Sequence, residues 1–301
     1  MKQWFYVKEL CEINPAIPEN IFGIAEWGHV ERVVSYLFVG KKKALLFDSG
    51  MGIGDISKCV KEAVLEVSKK NLPVSLINSH CHYDHIGGNH YFDEIAIFDD
   101  KFSKRIAKVG YKNKEILPCV INGFDKDYEI PEMFSKESYC VRPFKYNRLV
   151  KDGTPLNFEP FRFSIVHTPG HTSDSICLYE NNHKLLLTGD TLYLADIYLF
   201  FRNSDLGAYL SSVQRLSELQ SDSGVKAILP SHNGFSCDPE FLSILAKRLR
   251  LPLGFNQVRL TRRERVELSK YKNMGGKPQF RISDKISLLT KSEEAPFLLG
   301  N

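Results

Sequence analysis

The sequence predicts an α/β fold in which a strand-rich interior is covered on both sides by helices. Two blocks of short apolar strand patterns occur along the chain, and each is followed by segments whose apolar residues recur at helical spacing. The 301 residues are 43% apolar and 25% charged, which is typical of a globular chain. A chain of this length can bury a sizeable core between such layers.

The first block opens with alternating or β-branched runs at residues 21–27, 33–39 and 44–47, which we expect to form an antiparallel meander. Further strands are predicted at residues 74–78 and 95–98. A helix is predicted at residues 53–70, where apolar side chains recur every three or four positions, and another around residues 99–108. Residues 110–146 show weak periodicity and many aromatic side chains, which predicts an insertion or lid. These aromatic residues can equally anchor an irregular loop to the body.

The second block repeats the order of strands followed by helices. Its strand patterns cover residues 161–167, 175–179, 185–188 and 225–229. Helices are predicted at residues 206–220 and 239–250. Both blocks therefore fit one domain, which we place at residues 1–250.

Residues 251–301 form a basic extension, packed on that domain or trailing from it. Residues 241–301 carry 13 Lys or Arg and 5 Asp or Glu, a net charge of +8, whereas the whole chain is only +4. The basic segment 259–265 either meets substrate phosphates or is a solvated face. It lacks the aromatic interleaving of a nucleic-acid surface, so no nucleic-acid partner is expected.

Cysteine usage and the N-terminal sequence predict a cytoplasmic protein. The seven cysteines are scattered without a C-x-x-C pair, and the first residues lack the apolar stretch of a signal peptide. No run approaches eighteen apolar residues, so no membrane span is expected. The pattern leaves the oligomeric state open.

One short segment after a predicted strand concentrates three imidazoles and one carboxylate in six residues. These are His80, His82, Asp84 and His85. In a loop, His80 and His82 can point one way while the other two side chains turn another way. The segment can therefore supply ligands to two neighbouring ions.

Three further candidate ligands follow later strands: His171, Asp190 and His232. Loops at strand ends converge on one edge of a sheet, where ligand sites normally form. Together the seven residues provide five imidazoles and two carboxylates. This donor set suits divalent metals, with zinc expected first and iron or manganese as alternatives.

The H-x-H-x-D-H pattern at residues 80–85, with the later His, Asp and His in the same order, resembles the metallo-β-lactamase superfamily. The similarity covers roughly residues 20–250. It implies an αβ/βα four-layer sandwich with two metal ions at one edge of the strands. By the resemblance, the ligands are His80, His82 and His171 for one metal, Asp84, His85 and His232 for the other, and Asp190 as the bridge.

Differences between this sequence and particular branches of the superfamily limit the functions that the resemblance implies. Asp190 stands where the common secreted antibiotic-hydrolysing members have Cys, and His82 stands where flavin-linked di-iron members have Glu. The 41 residues between Asp190 and His232 are too few for the inserted domain of the nuclease branch. The resemblance therefore favours hydrolysis of a small-molecule ester over oxygen reduction, β-lactam cleavage or RNA processing.

Residues 168–216 are most similar to the branch containing metallo-β-lactamase domain-containing protein 2, which is associated with acyl-CoA thioesterase activity. Residues 189–193 also look like acyl-homoserine lactonases and glyoxalase II. The resemblance implies a hydrolase of an acyl thioester, with lactone hydrolysis as the nearest alternative. A mono-iron sulfur dioxygenase and a metal-stabilised binding module are the more distant ones.

Two residues are predicted to take part in the chemistry directly. Asp84 can hold its metal and accept a hydrogen bond that orients the attacking hydroxide between the metals. Tyr193, three residues after Asp190, can donate to the developing oxyanion or leaving group, or simply pack in an apolar loop.

Other parts of the sequence are also candidates for a role at or near the site. Asp48 follows a strand and either braces a ligand His or forms a turn. Cys81 lies between two candidate ligands and is expected to be a small buried residue rather than a nucleophile. Residues 192–201 are unusually apolar, which fits a wall for a lipophilic substrate or simple core packing.

Overall fold

The computed structural model describes residues 1–249, 279–281 and 286–290. A seven-stranded sheet and a five-stranded sheet lie face to face, and helices cover their outer faces. A small three-stranded sheet adjoins the second helical layer. The predicted α/β class with covered sheets is confirmed.

The strands, in chain order, are β1 (Phe5–Glu9), β2 (Ile21–Glu26), β3 (Val34–Val39), β4 (Ala44–Phe47), β5 (Val74–Ile77), β6 (Glu94–Phe98), β7 (Arg148–Val150), β8 (Pro155–Phe158), β9 (Phe161–His167), β10 (Ile176–Glu180), β11 (Leu185–Gly189), β12 (Asp196–Leu199), β13 (Ala227–Pro230), β14 (Gln279–Arg281) and β15 (Ser287–Thr290). The α-helices are α1 (Ile56–Ser68), α2 (Tyr83–Ile86), α3 (Lys101–Val109), α4 (Asn113–Val120), α5 (Leu206–Ser223) and α6 (Glu240–Arg248). Every strand and helix predicted from periodicity is present, with ends that shift by a few residues.

The first sheet changes from antiparallel to parallel at β4. Strands β1 to β4 pair antiparallel, which confirms the expected meander, and β4 to β7 pair parallel. The second sheet has the order β13-β11-β10-β9-β8. Large aromatic side chains, including Tyr36, Phe38 and Phe163, fill the space between the two sheets. Burial of this apolar surface is the main force that holds the sheets together.

Helices lie against the outer face of each sheet because each presents an apolar stripe. In α1, Ile56, Val60 and Val64 are buried against the first sheet, and Asp55 caps the helix by accepting from Ser57 N at 3.0 Å. Helices α5 and α6 cover the second sheet with residues such as Val213. The sandwich therefore has four layers.

The insertion at residues 110–146 packs on the first sheet and its helices. Tyr139 donates to the carbonyl of Met51 at 2.7 Å, and Tyr111 donates to the carbonyl of Cys81 at 2.9 Å. Phe124 stacks edge-on against His29, with ring centroids 5.6 Å apart. These contacts favour the interpretation that the aromatic residues anchor the insertion to the body.

The sequence patterns missed β1 and most of the short strands of the C-terminal half. β12 pairs parallel with β15, so residues 287–290 add a strand beside the segment that follows Asp190. The part of the basic extension that the structure describes thus packs on the main domain. The basic segment 259–265 lies outside the described residues. Among the described helices, none combines the length and apolarity required to cross a bilayer.

Candidate metal centre

All seven predicted ligands meet at one edge of the two sheets. Asp84 and His85 lie on α2, and the others lie on loops: His80 and His82 after β5, His171 after β9, Asp190 after β11 and His232 after β13. Strands from both sheets end at this edge, which is why residues 152 positions apart in the chain, His80 and His232, share one site. All seven are buried or half-buried.

Three imidazoles form a group that we call the three-histidine cluster: His80, His82 and His171. Their inward nitrogens lie within 4.8 Å of one another. Nε2 of His171 is 2.9 Å from Nδ1 of His82, and the rings stand nearly perpendicular. No carboxylate belongs to this group of three, so its donors are neutral nitrogens.

The second group, which we call the mixed cluster, consists of Asp84, His85 and His232. Its donor atoms also lie within 4.8 Å of one another. The Nε2 atoms of His85 and His232 are 3.3 Å apart, and Oδ2 of Asp84 is 3.7 Å and 3.8 Å from them. One carboxylate therefore faces two imidazoles.

Asp190 lies between the clusters and turns one oxygen toward each. Its Oδ2 is 3.3 Å from Nε2 of His171, and its Oδ1 is 3.1 Å from Nε2 of His232 and 3.3 Å from Nε2 of His85. One carboxylate therefore faces imidazoles of both clusters. Gly189 precedes it with φ 51°, a backbone conformation that glycine adopts without strain.

Four of the five histidines are oriented by a partner on the ring nitrogen that faces away from the site. Nδ1 of His171 donates to the carbonyl of Tyr198 at 2.7 Å, and Nδ1 of His232 donates to the carbonyl of Glu31 at 2.6 Å. His80 and His85 use Ser79 Oγ and Asp48 Oδ2 in the same way; the distances are 3.0 Å and 2.9 Å. These partners hold a proton on Nδ1, so that in the neutral imidazole Nε2 points into the site as the lone-pair donor.

Asp48 is the centre of this outer hydrogen-bond network. It is fully buried and accepts from Ser79 N at 2.7 Å, from Ser79 Oγ at 2.8 Å and from Nδ1 of His85. Ser231 Oγ adds a contact at 3.3 Å. Of the two interpretations open from the sequence, the structure favours the one in which Asp48 braces a ligand histidine.

The electrostatics of the two clusters differ. Burial lowers the pKa of His80 and of His82 well below the usual range for histidine, and it also lowers the pKa of His171. Burial acts on His232 in the same direction, but the carboxylate of Asp190 outweighs it and raises that pKa to about 9. The carboxylates of Asp190 and Asp84 likewise outweigh burial at His85 and raise its pKa well above the usual range.

The donor set fits divalent cations. Within the described part of the chain, Nε2 of His80 is buried without a hydrogen-bond partner, although it faces other ligand atoms. Neighbouring nitrogen ligands of a tetrahedral zinc ion lie about 3.3 Å apart, close to the nitrogen–nitrogen distances of 2.9 Å and 3.3 Å in the two clusters. Nitrogens packed so closely repel one another unless a cation or proton lies between them.

Tyr193 lies beside the mixed cluster, but its hydroxyl is engaged elsewhere. Its ring centroid is 5.0 Å from that of His232, and its hydroxyl donates to the carbonyl of Asp196 at 2.7 Å. Cys81 is buried, and burial raises its pKa well above the usual range for a thiol. This agrees with the expectation that Cys81 is no nucleophile.

Several groups that shape the site carried no sequence signal. The carbonyls of Tyr198 and Glu31 act through the backbone, and any residue type supplies a carbonyl. Phe201 is the clearest missed neighbour, with its ring centroid 4.6 Å from His82 and 5.5 Å from His171. It lay within the apolar stretch noted in the sequence, yet nothing there distinguished it from core residues.

Comparison with known proteins identifies the family. The profile of the metallo-β-lactamase superfamily matches residues 30–232, more than half of the chain. The chain belongs to this superfamily, and its His/Asp metal site is typical of the fold. It is a metal-dependent hydrolase of that superfamily.

Individual members of the superfamily share only a modest sequence identity with this chain. The chain is 27% identical over 237 residues to the acyl-coenzyme A thioesterase MBLAC2 of Gallus gallus, covering 76% of this chain and 81% of the relative. It is 32% identical over 160 residues to a hydroxyacylglutathione hydrolase of Pelagibacter ubique, covering 53% of this chain and 51% of that one.

Solved structures show the same fold at lower identity. A metallo-β-lactamase family protein of Thermus thermophilus superposes with a TM-score of 0.56 at 19% identity, covering 76% of this chain and 78% of that one. A metallo-β-lactamase of Pontibacter korlensis gives a TM-score of 0.55 at 16% identity, covering 81% and 98%. These likenesses support the fold alone.

Proposed function

We propose that this chain is a binuclear hydrolase that cleaves acyl thioesters. The observation that carries the proposal is Asp190, whose two oxygens lie 3.1–3.3 Å from imidazole nitrogens of two different clusters. Such a carboxylate suits two adjacent cations rather than one. The thioester class is supported by the similarity to acyl-coenzyme A thioesterases along three quarters of the chain.

Two divalent cations, with zinc our first expectation and iron or manganese the alternatives, would activate water and polarise the scissile carbonyl. The three-histidine cluster would hold one and the mixed cluster the other, with Asp190 shared. The surrounding partners keep these side chains in place, so little reorganisation accompanies the reaction.

In the proposed reaction, Asp84 orients and deprotonates the attacking water. Its carboxylate is 7% exposed and reaches the mixed cluster through Oδ2. It accepts a hydrogen bond from the attacking water, orients it toward the carbonyl and takes up its proton. The predicted donor role of Tyr193 is not part of the proposal, because its hydroxyl already donates to Asp196.

Hydrolysis of a matched panel tests the proposal: an acyl-CoA series, a lactone series and a phosphodiester, with protein of measured metal content. We expect thioester cleavage that falls more than about a hundredfold in Asp84→Ala. Asp93→Ala, which removes an exposed carboxylate, is the matched control and should leave the rate unchanged.

Other outcomes point to other members of the fold. Activity confined to lactones would assign the chain to the lactonase alternative. One bound iron with oxygen consumption would support a sulfur dioxygenase. Full metal occupancy without activity on any substrate would leave a binding module.

A further inference from the structure

An aromatic group borders the metal centre on one side. It consists of Tyr198, Phe200 and Phe201, whose ring centroids lie 4.7–6.3 Å apart. In β12 the side chains alternate: Ile197 and Leu199 are buried in the core, whereas Tyr198 is half-buried. Phe200 and Phe201 follow the strand and are also half-buried. The apolar stretch therefore divides into core residues and half-buried aromatic residues.

One member of the aromatic group, Phe201, contacts two ligand imidazoles, and Tyr198 and Phe200 pack beside it. Phe201 is edge-on to His82 at 4.6 Å and to His171 at 5.5 Å between ring centroids. On the other side of His82, the ring of Phe102 lies at 6.2 Å, also edge-on. Apolar surface thus reaches the atoms that would hold the first metal.

The opposite side of the centre has a different character. The mixed cluster contains the carboxylate of Asp84, whose Oδ2 lies 3.7 Å and 3.8 Å from the Nε2 atoms of His85 and His232. An apolar substituent gains little beside this carboxylate, whereas the ring of Phe201 offers it contact surface. A substrate with one apolar end is therefore oriented with that end over Phe201.

We propose that Tyr198, Phe200 and Phe201 form the subsite for the acyl chain of the substrate. The inference rests on the proposed thioesterase function and specifies it: the substrate carries an apolar acyl chain, and the group sets the preference for chain length. Each methylene buried against such a surface strengthens binding about threefold to fourfold. Catalytic efficiency should therefore rise with chain length until the aromatic surface is covered.

The test compares acetyl-, octanoyl- and palmitoyl-CoA with the metal-loaded full chain. In the wild type we expect kcat/KM to increase from the acetyl to the longer esters. Phe201→Ala should lower the palmitoyl-to-acetyl ratio of kcat/KM about tenfold, mainly through KM. Phe201→Leu keeps an apolar contact and should lower the ratio by less than about threefold. Tyr91→Ala, which alters a half-buried aromatic residue in the short 3-10 helix Asn89–Tyr91, should leave the ratio unchanged.

Because Phe201 contacts two ligands, Tyr198→Ala provides a second, independent variant. The backbone carbonyl of Tyr198, which orients His171, is retained in it. Metal content is measured for each variant, and the ratio should fall in Tyr198→Ala at unchanged metal content. An unchanged ratio in both alanine variants would overturn the subsite.

A binding experiment separates this inference from the proposed function. Calorimetry with non-hydrolysable S-alkyl-CoA thioethers of increasing chain length reports on the subsite without turnover. Binding that strengthens with chain length and loses this trend in Phe201→Ala supports the subsite, even if no thioester is cleaved. Chain-length-independent binding by a protein that does hydrolyse thioesters would refute the subsite and leave the function standing.

Discussion

The two halves of the metal centre are built from different chemistry. The three-histidine cluster offers neutral nitrogens with pKa values lowered by burial, beside aromatic rings. The mixed cluster adds the carboxylate of Asp84, and its two histidines have raised pKa values because carboxylates surround them. A cation among neutral donors keeps more of its positive charge than one beside carboxylates. In the binuclear hydrolase that we propose, the first cluster would therefore be better suited to polarising a carbonyl, and the second to handling the proton of water.

Among these predictions, the largest loss of activity should follow from removing Asp190, the residue that faces both clusters. Asp190→Ala deletes the oxygens that face both clusters, so we expect less than two equivalents of metal and a fall in kcat of at least about a thousandfold. Metal analysis and kinetics on one preparation measure both. A variant that retained two metals and wild-type activity would show that Asp190 does not bridge.

Lowering the pH should weaken metal binding at the mixed cluster more than at the three-histidine cluster. A raised pKa means that His232 keeps its proton up to about pH 9, so a metal must displace that proton at neutral pH. Affinity at the mixed cluster should then fall by at least about a hundredfold between pH 9 and pH 7, at tenfold per unit for the proton displaced from His232. A proton displaced from His85, whose pKa is also raised, adds to this fall. The histidines of the other cluster are already neutral in this range, and their affinity should change little.

Competition with a chelator of known affinity at each pH measures this difference. Two affinities that respond equally to pH would contradict the electrostatic distinction between the clusters.

The hydrogen-bond network around Asp48 should affect metal binding at the mixed cluster more than at the three-histidine cluster. Asp48→Asn weakens the hydrogen bond that orients His85, and we expect the affinity of the mixed cluster to fall about 10- to 100-fold. The control Asp205→Asn exchanges an exposed carboxylate that caps α5 for an equally good cap and should not affect metal binding. If metal affinity fell equally at both clusters, Asp48 would support the ligands of both clusters rather than His85 alone.

The smallest effect is expected at Tyr193. Because its hydroxyl donates to the carbonyl of Asp196, Tyr193→Phe should cost about 1 kcal/mol of unfolding free energy. We expect kcat to fall less than about fivefold, a limit on the role of one donor already engaged elsewhere. A hundredfold loss of kcat at unchanged stability would instead support the donor role predicted from the sequence.

The identity of the donor set and the layered fold class could both be predicted from the sequence. His80, His82, Asp84 and His85 lie so close in the chain that local geometry alone predicts a shared site. Strand and helix periodicities are also local, which is why elements such as α1 and β9 were predicted nearly to their ends. β1 was missed because it is an edge strand without fully buried side chains, so it lacks the alternation of a half-buried strand. β12 was missed because it lies within a largely continuous apolar stretch.

The way in which the donors face one another depends on contacts between distant parts of the chain. The ring nitrogen that each histidine presents depends on carbonyls and on Asp48, which arrive from distant strands. The division of the apolar stretch into core residues and the aromatic group depends on the pairing of β12 with β15, about ninety residues away in the chain. Such contacts leave no local pattern, because their energy comes from packing between elements rather than from the spacing within one element.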